Sequence, residues 1–137
     1  MPWNASGGFT TGAPWFGYAP GLATDNVARE TDDPSSLLSY YRNWITTRKQ
    51  SPALRSGDLT VVDSGFQILA FIRHSGDERV LVLHNVSAST IDSGPLAVNA
   101  DGFDRVHADP GVSDPSGTTG AWHFTMPPHT SAVWRLK

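Results

Sequence analysis

Hydrophobic and polar positions along this chain fall into three zones. Residues 1 to about 33 follow no period, because ASGG, TTGAP and prolines at 2, 14 and 20 interrupt every helical or alternating template. The next stretch, DDPSSLLSYYRNWITTRKQSPAL, is periodic. Leu37, Leu38, Tyr41, Trp44, Ile45 and the stem of Arg48 fall on one stripe of an amphipathic helix. Asp33 stands as a cap with Pro34 at the first helical position, Arg48 and Lys49 suit the C-terminal dipole, and Ser51-Pro52 ends the run. The spacing predicts a helix over 34–49 with Trp44 buried. From Leu59 onward the pattern is that of short strands: LTVVD, FQILAFIRH, ERVLVLHNV, PLAVN, FDRVHA, AWHFT and TSAVWRL, separated by turn residues. FQILAFIRH alternates imperfectly, which predicts a central strand covered on both sides. The Gly/Ser/Asp/Pro-rich stretch 109–120 reads as a surface loop. The expected fold is mainly β: an antiparallel β-sandwich preceded by one amphipathic α-helix and an irregular aromatic loop.

Composition narrows the function classes. The 137 residues are enough for a domain with a real core, and a net charge of −3 with scattered Lys and Arg argues against a nucleic-acid partner. No run approaches a membrane span, and Met1-Pro2-Trp3 does not open a signal peptide. Neither cytoplasm nor secretion is selected. The absence of cysteine removes disulfides and thiolate metal sites.

Candidate chemistry is sparse. Sugar hydrolysis uses two placed carboxylates, yet the chain has only two glutamates, Glu30 before the helix and Glu78 at a turn where solvation accounts for it. Asp33, Asp101, Asp109 and Asp114 precede Pro or Gly and read as turn and cap residues. His74, His84, His107, His123 and His129 form no HxH or HxxxH pair, so no metal site and no cofactor is expected; His84 reads as a structural histidine. No GxSxG or phosphate-binding glycine loop is present. Aromatics remain. Trp122 and Trp134 belong to strands and read as core or half-core. Trp3, Phe9, Trp15, Phe16 and Tyr18 sit in the uncharged leader with five glycines and three prolines, and have no periodic element to pack on.

Several segments then align in order: MPWN, GGFTTGAPW, DPSSLLSYYRNWITTRKQSPALRSGDL, FQILAFIRHSGDERVLVLHNVS and MPPHTSAVWRL. Together they resemble the C-terminal end of the alpha-amylase family of glycoside hydrolases, closest to its alpha-glucosidase, oligo-glucosidase and trehalose-synthase-like branch. The likeness covers essentially the whole chain. Pro2, Asn4, the TTRKQ helix end and His84 in HNVS depart from the family pattern.

The resemblance implies that residues 1–55 are the end of a catalytic barrel, its last loop and last helix, and that 56–137 are the C-terminal sandwich domain. The family's three catalytic carboxylates lie upstream of the MPW loop, so no catalytic residue is expected here. The implied partner is the upstream barrel, with alpha-glucan or oligosaccharide bound only in the intact enzyme. Whether Met1 is a true start stays open. Trp3, Asn4, Phe9 and Trp15 are the candidate substrate-proximal residues; packing against the barrel is the competing account of their presence. Two other readings stay open: a free-standing carbohydrate-binding sandwich, or an interaction domain that docks a barrel supplied in trans.

Overall fold

The computed structural model describes residues 2–137. Met1, the first residue of the MPWN motif, lies outside the described residues. Strands run β1 (Asp58–Val62), β2 (Ile68–Ser75), β3 (Glu78–Asn85), β4 (Ile91–Asp92) and β5 (Phe103–Ala108). They continue as β6 (Ser116–Thr118), β7 (Ala121–His123), β8 (Thr125–Met126) and β9 (Ser131–Leu136). Contacts divide the chain into two units, Met1–Thr46 and Thr47–Lys137.

The second unit holds the sheets. Five strands form one antiparallel sheet in the order β1-β2-β3-β9-β5, and β4-β8 and β6-β7 make two short antiparallel pairs. Register decides the core. Ala70 faces Leu83, Ile72 faces Leu81, and across the next ladder Leu83 faces Ala132 and Leu81 faces Trp134. Period-two alternation puts all of these on one face, where they meet Leu96, Val98, Ala100, Val112, Phe124 and Met126 of the opposing layer. A slip of one residue would turn this whole set to the other face. The expected mainly β, antiparallel sandwich is what forms.

Details differ from the pattern reading. The strand covered on both sides is β3, where Val80, Leu81, Val82 and Leu83 are all buried, rather than β2, whose Leu69 is exposed. PLAVN forms no named strand. Its Leu96 makes a single bridge to Trp122, while Leu96, Val98 and Ala100 still alternate inward. The 109–120 stretch is not all surface: Asp109 and Val112 are buried, and β6 turns into β7 through Thr119-Gly120, with Gly120 at φ +82°.

Three helices are described: α1 (Val27–Thr31), α2 (Leu37–Gln50) and α3 (Pro52–Ser56). The long helix starts three residues later than predicted. Asp33 spends its carboxylate on the Ser35 amide and hydroxyl, and Ser36 becomes the cap, its Oγ accepting from the Ser39 N–H at 3.1 Å. Glu30 accepts from the Leu38 N–H at 3.0 Å, satisfying a second first-turn donor. Trp44 is half-buried, not buried as expected. Ser51-Pro52 does end α2, but it also starts α3: Ser51 Oγ accepts from the Leu54 N–H and Pro52 occupies the first helical position. Arg48 closes the far end of α3 by donating to the Leu54 and Arg55 carbonyls. α3 packs on β2 and β3 with Ala53 and Leu54 buried.

In the first unit, α1 was illegible as a period because it is five residues long. Its early donors are satisfied from outside the helix. Val27 N–H and Ala28 N–H donate to the Pro2 and Trp3 carbonyls at 3.1 and 2.9 Å, and Asn26 Oδ1 caps the Arg29 N–H. Among the described residues of this unit, only Gly7, Asn26 and Ser36 are buried, and no hydrophobic side chain is.

Candidate functional site

A tight reversal of the backbone organises the start of the chain. Trp3 N–H donates to the Gly7 carbonyl at 2.7 Å and Gly7 N–H to the Asn4 carbonyl at 2.9 Å. Asn4 Oδ1 accepts from the Ser6 N–H at 2.9 Å. Gly7 and Gly8 take φ of +97° and +77°, a region side chains disfavour. A Cβ on Gly7 would lie 2.0 Å from the Tyr18 hydroxyl, and one on Gly8 2.9 Å from Trp3 Cβ. Glycine is therefore required twice, once for conformation and once for space.

The reversal sets Trp3 edge-on to Phe9, with ring centroids 5.9 Å apart and planes at 61°. Trp3, Asn4 and Phe9 thus come together in one small cluster. Trp15 pairs with Phe16 instead, at 6.2 Å, and is 91% exposed. Trp3 is itself 54% exposed. Open indole and phenyl faces on a rigid turn can stack on sugar rings or pack against a protein surface; the cluster offers no acid or base.

Both glutamates bond to backbone N–H groups. Glu30 caps α2. Glu78 is not a solvated turn residue. Its Oε2 accepts from Ser51 Oγ at 2.9 Å and from the Ala53 N–H at 2.8 Å, and its Oε1 lies 3.3 Å from Arg135. Burial pushes the Glu78 carboxyl up, but the three donors outweigh it and hold the pKa below its ordinary 4.5. The sequence carried no signal for this, since Ala53, Ser51 and Arg135 lie 25, 27 and 57 residues away along the chain.

His84 pairs through Nδ1 with Ser131 Oγ at 2.8 Å and lies beside the Phe71 ring. Burial holds its pKa below 6.5, against an opposing pull from Asp109. Asp109 Oδ2 in turn accepts from the Ser131 N–H. This is the structural histidine expected. Asp92 accepts from Gly94 N–H and pairs with His123 at 2.9 Å, which lowers the Asp92 pKa. Among the described residues, no three His, Asp or Glu side chains gather as a metal ion would require.

Two family descriptions match the chain in sequence order. Residues 1–57 match the alpha amylase catalytic domain, and residues 68–133 match the alpha-amylase SusG C-terminal domain. The chain belongs to the alpha-amylase family. A probable alpha-glucosidase of Rhizobium meliloti strain 1021 is 35% identical over 89 residues, covering 64% of this chain and 16% of that protein. A probable oligo-1,6-glucosidase 2 of Bacillus subtilis strain 168 is 35% identical over 91 residues, with the same coverage of 64% and 16%. The crystal structure of the trehalulose synthase MutB from Pseudomonas mesoacidophila MX-45 superposes with a TM-score of 0.75 at 31% identity, over 98% of this chain and 24% of that one. The chain therefore spans a quarter or less of these relatives' length, and it matches the C-terminal region of the family's glucosidases. The alpha-glucosidase and oligo-glucosidase branch read from the motifs is the branch these relatives occupy.

Proposed function

We propose that this chain is the C-terminal part of an enzyme acting on alpha-glucosides or maltooligosaccharides. Residues 1–55 complete the catalytic barrel, and residues 56–137 are the sandwich domain that supports it. The catalytic carboxylates come from the barrel and not from this chain. Trp3, Asn4, Phe9 and Trp15 then lie near substrate at the barrel's C-terminal face, where sites of such barrels sit. The observation that carries this reading is the uncovered apolar stripe of α2. Leu37, Tyr41 and Ile45 are 66%, 59% and 50% exposed along one helix face, as an outer barrel helix would be before its barrel is in place.

The test has two arms. The chain alone, incubated with a chromogenic alpha-glucoside, is expected to release no product; turnover that purification cannot separate from the chain would overturn the assignment. Mixed with a separately expressed alpha-amylase-family barrel that ends after its eighth strand, it is expected to co-elute. A Leu37→Gln/Tyr41→Ser/Ile45→Gln variant should lose that association, and binding unchanged by the triple substitution would remove the helix stripe from the interface.

A further inference from the structure

A second aromatic cluster lies at the open edge of the sandwich, beside β5. A cavity of about 360 Å³ opens there, with Phe103, Arg105, Asp114, Trp122 and Trp134 in its wall. Its volume is at the lower end of the roughly 300–1,000 Å³ typical of small-ligand sites. Phe103 meets Trp122 edge-on at 5.0 Å. Arg105 stands opposite Trp134 in the β5–β9 register, just before a register shift of the edge strand, the kind of irregularity that re-aims a side chain. Its guanidinium lies 4.8 Å over the Trp134 ring. The same guanidinium donates to the Val112 carbonyl at 3.1 Å and to Asp114 Oδ1 at 2.7 Å.

Two features are left over. The indole N–H groups of Trp122 and Trp134 have no acceptor among the described residues, although buried donors are as a rule paired. An inward-pointing charge on an edge strand also guards that edge against pairing with another chain. That role accounts for Arg105, but not for the open cavity beside it; the two indole N–H groups are buried away from that opening.

Charge at the cavity is balanced. Arg105 is matched by Asp114, and Asp104, also at its rim, is matched by Lys137 at 2.6 Å. No surplus charge selects an ionic ligand. What remains is the half-buried rings of Phe103 and Trp122 with the paired Arg105 guanidinium and Asp114 carboxylate beside them. We infer that this cavity binds a neutral mono- or disaccharide, with a pyranose face against the aromatic wall and hydroxyls on Arg105 and Asp114. The inference is drawn from the cavity's own residues and is independent of the barrel reading, so either can fail while the other stands.

The full chain, labelled with ¹⁵N, would be titrated with glucose, maltose and isomaltose, with glycerol as a control, while the five tryptophan indole signals are followed. The Trp122 and Trp134 signals are expected to move saturably with sugar and not with glycerol. Asp114→Ala removes a largely exposed carboxylate and should leave the spectrum otherwise intact. It is expected to weaken binding on the order of tenfold, as losing a charge-assisted hydrogen bond does, and Arg105→Ala should do the same. Static Trp122 and Trp134 signals would overturn the proposal. So would undiminished affinity in both variants, or movement confined to Trp3 and Trp15, which would place the sugar on the aromatic loop instead.

Discussion

Replacing Glu78 with alanine tests the tie between α3 and the sheet. The carboxylate accepts from Ser51 Oγ and the Ala53 N–H, and both residues are essentially inaccessible to water, at 1% and 0% exposure. Removing the acceptor leaves two buried donors without it. A buried donor left unsatisfied costs about 1–3 kcal/mol. Ser51 can turn its hydroxyl elsewhere, whereas the Ala53 amide cannot, so a loss of about 2–4 kcal/mol is expected. Arg135 adds little, because its side chain is half exposed. In urea the unfolding midpoint should fall by roughly 1–2 M with little change in slope. Glu78→Gln keeps one acceptor oxygen and should lose about half as much.

The pH dependence supplies an independent check on the same carboxylate. Its folded pKa is depressed below 4.5, so the unfolded chain binds the proton more readily. The stability Glu78 contributes is fully present above about 4.5 and is lost as pH falls through the folded value. The difference in midpoint between wild type and Glu78→Gln should therefore shrink across that window. A loss under about 0.5 kcal/mol in Glu78→Ala, the range of an ordinary surface substitution, would refute the buried tie. A wild-type/Gln difference that stays constant down to the acid limit would refute the role of the charge.

Three further outcomes are expected. Phe124→Ala empties a fully buried site between Phe103 and Trp134 and should cost about 3–5 kcal/mol in urea unfolding; a loss below about 1 kcal/mol would mean that the opposing layer does not close this core. Because the His84 pKa is depressed, wild type should lose stability as pH falls below 6.5, and His84→Asn should not, as read from thermal midpoints between neutral and mildly acidic pH. Gly7→Ala forces a side chain into φ +97° and onto Tyr18, at a conformational cost of about 1–2 kcal/mol; near-ultraviolet circular dichroism should show the Trp3–Phe9 signal weakened, while the sandwich unfolds at its wild-type midpoint.

Periodicity made the sandwich legible because its burial is periodic. Ile68, Ala70, Leu81, Leu83, Ala132 and Trp134 announce the inner face by alternation alone. The same rule missed β4, β6 and β8, which have two or three residues each and are too short to show a period. Helix α2 was legible from its stripe, but its start was not. Asp33 and Ser36 are both good caps by type, and only the hydrogen bonds from Ser39 to Ser36 and from Leu38 to Glu30 decide between them. At the aromatic loop, the pairing of Trp3 with Phe9 depends on two left-handed glycines, a feature that GG in a sequence permits without specifying. Glu78 and Arg105 were hidden for a different reason. Each acts on partners set by tertiary register, and nothing local separates them from solvated charges.

The two units satisfy burial by different means, and this bears on what the loop can do. The second closes its own core around Trp134, Phe124 and Leu81. The first holds its path with backbone reversals and with carbonyls of Pro2 and Trp3 offered to α1, while Trp15, Phe16, Leu37 and Tyr41 stay open to water. Ordering a residue costs about 1–2 kcal/mol, and a net hydrogen bond returns only about 1 kcal/mol. Turns and caps alone therefore fall short of holding some thirty residues in one arrangement. The shortfall has to come from apolar burial, and the apolar groups available for it are the exposed ones. A surface that covers Leu37, Tyr41 and Ile45, as the proposed barrel would, would at once stabilise the helix and fix the loop before it, so that assembly and the positioning of Trp3, Asn4 and Phe9 would be one event.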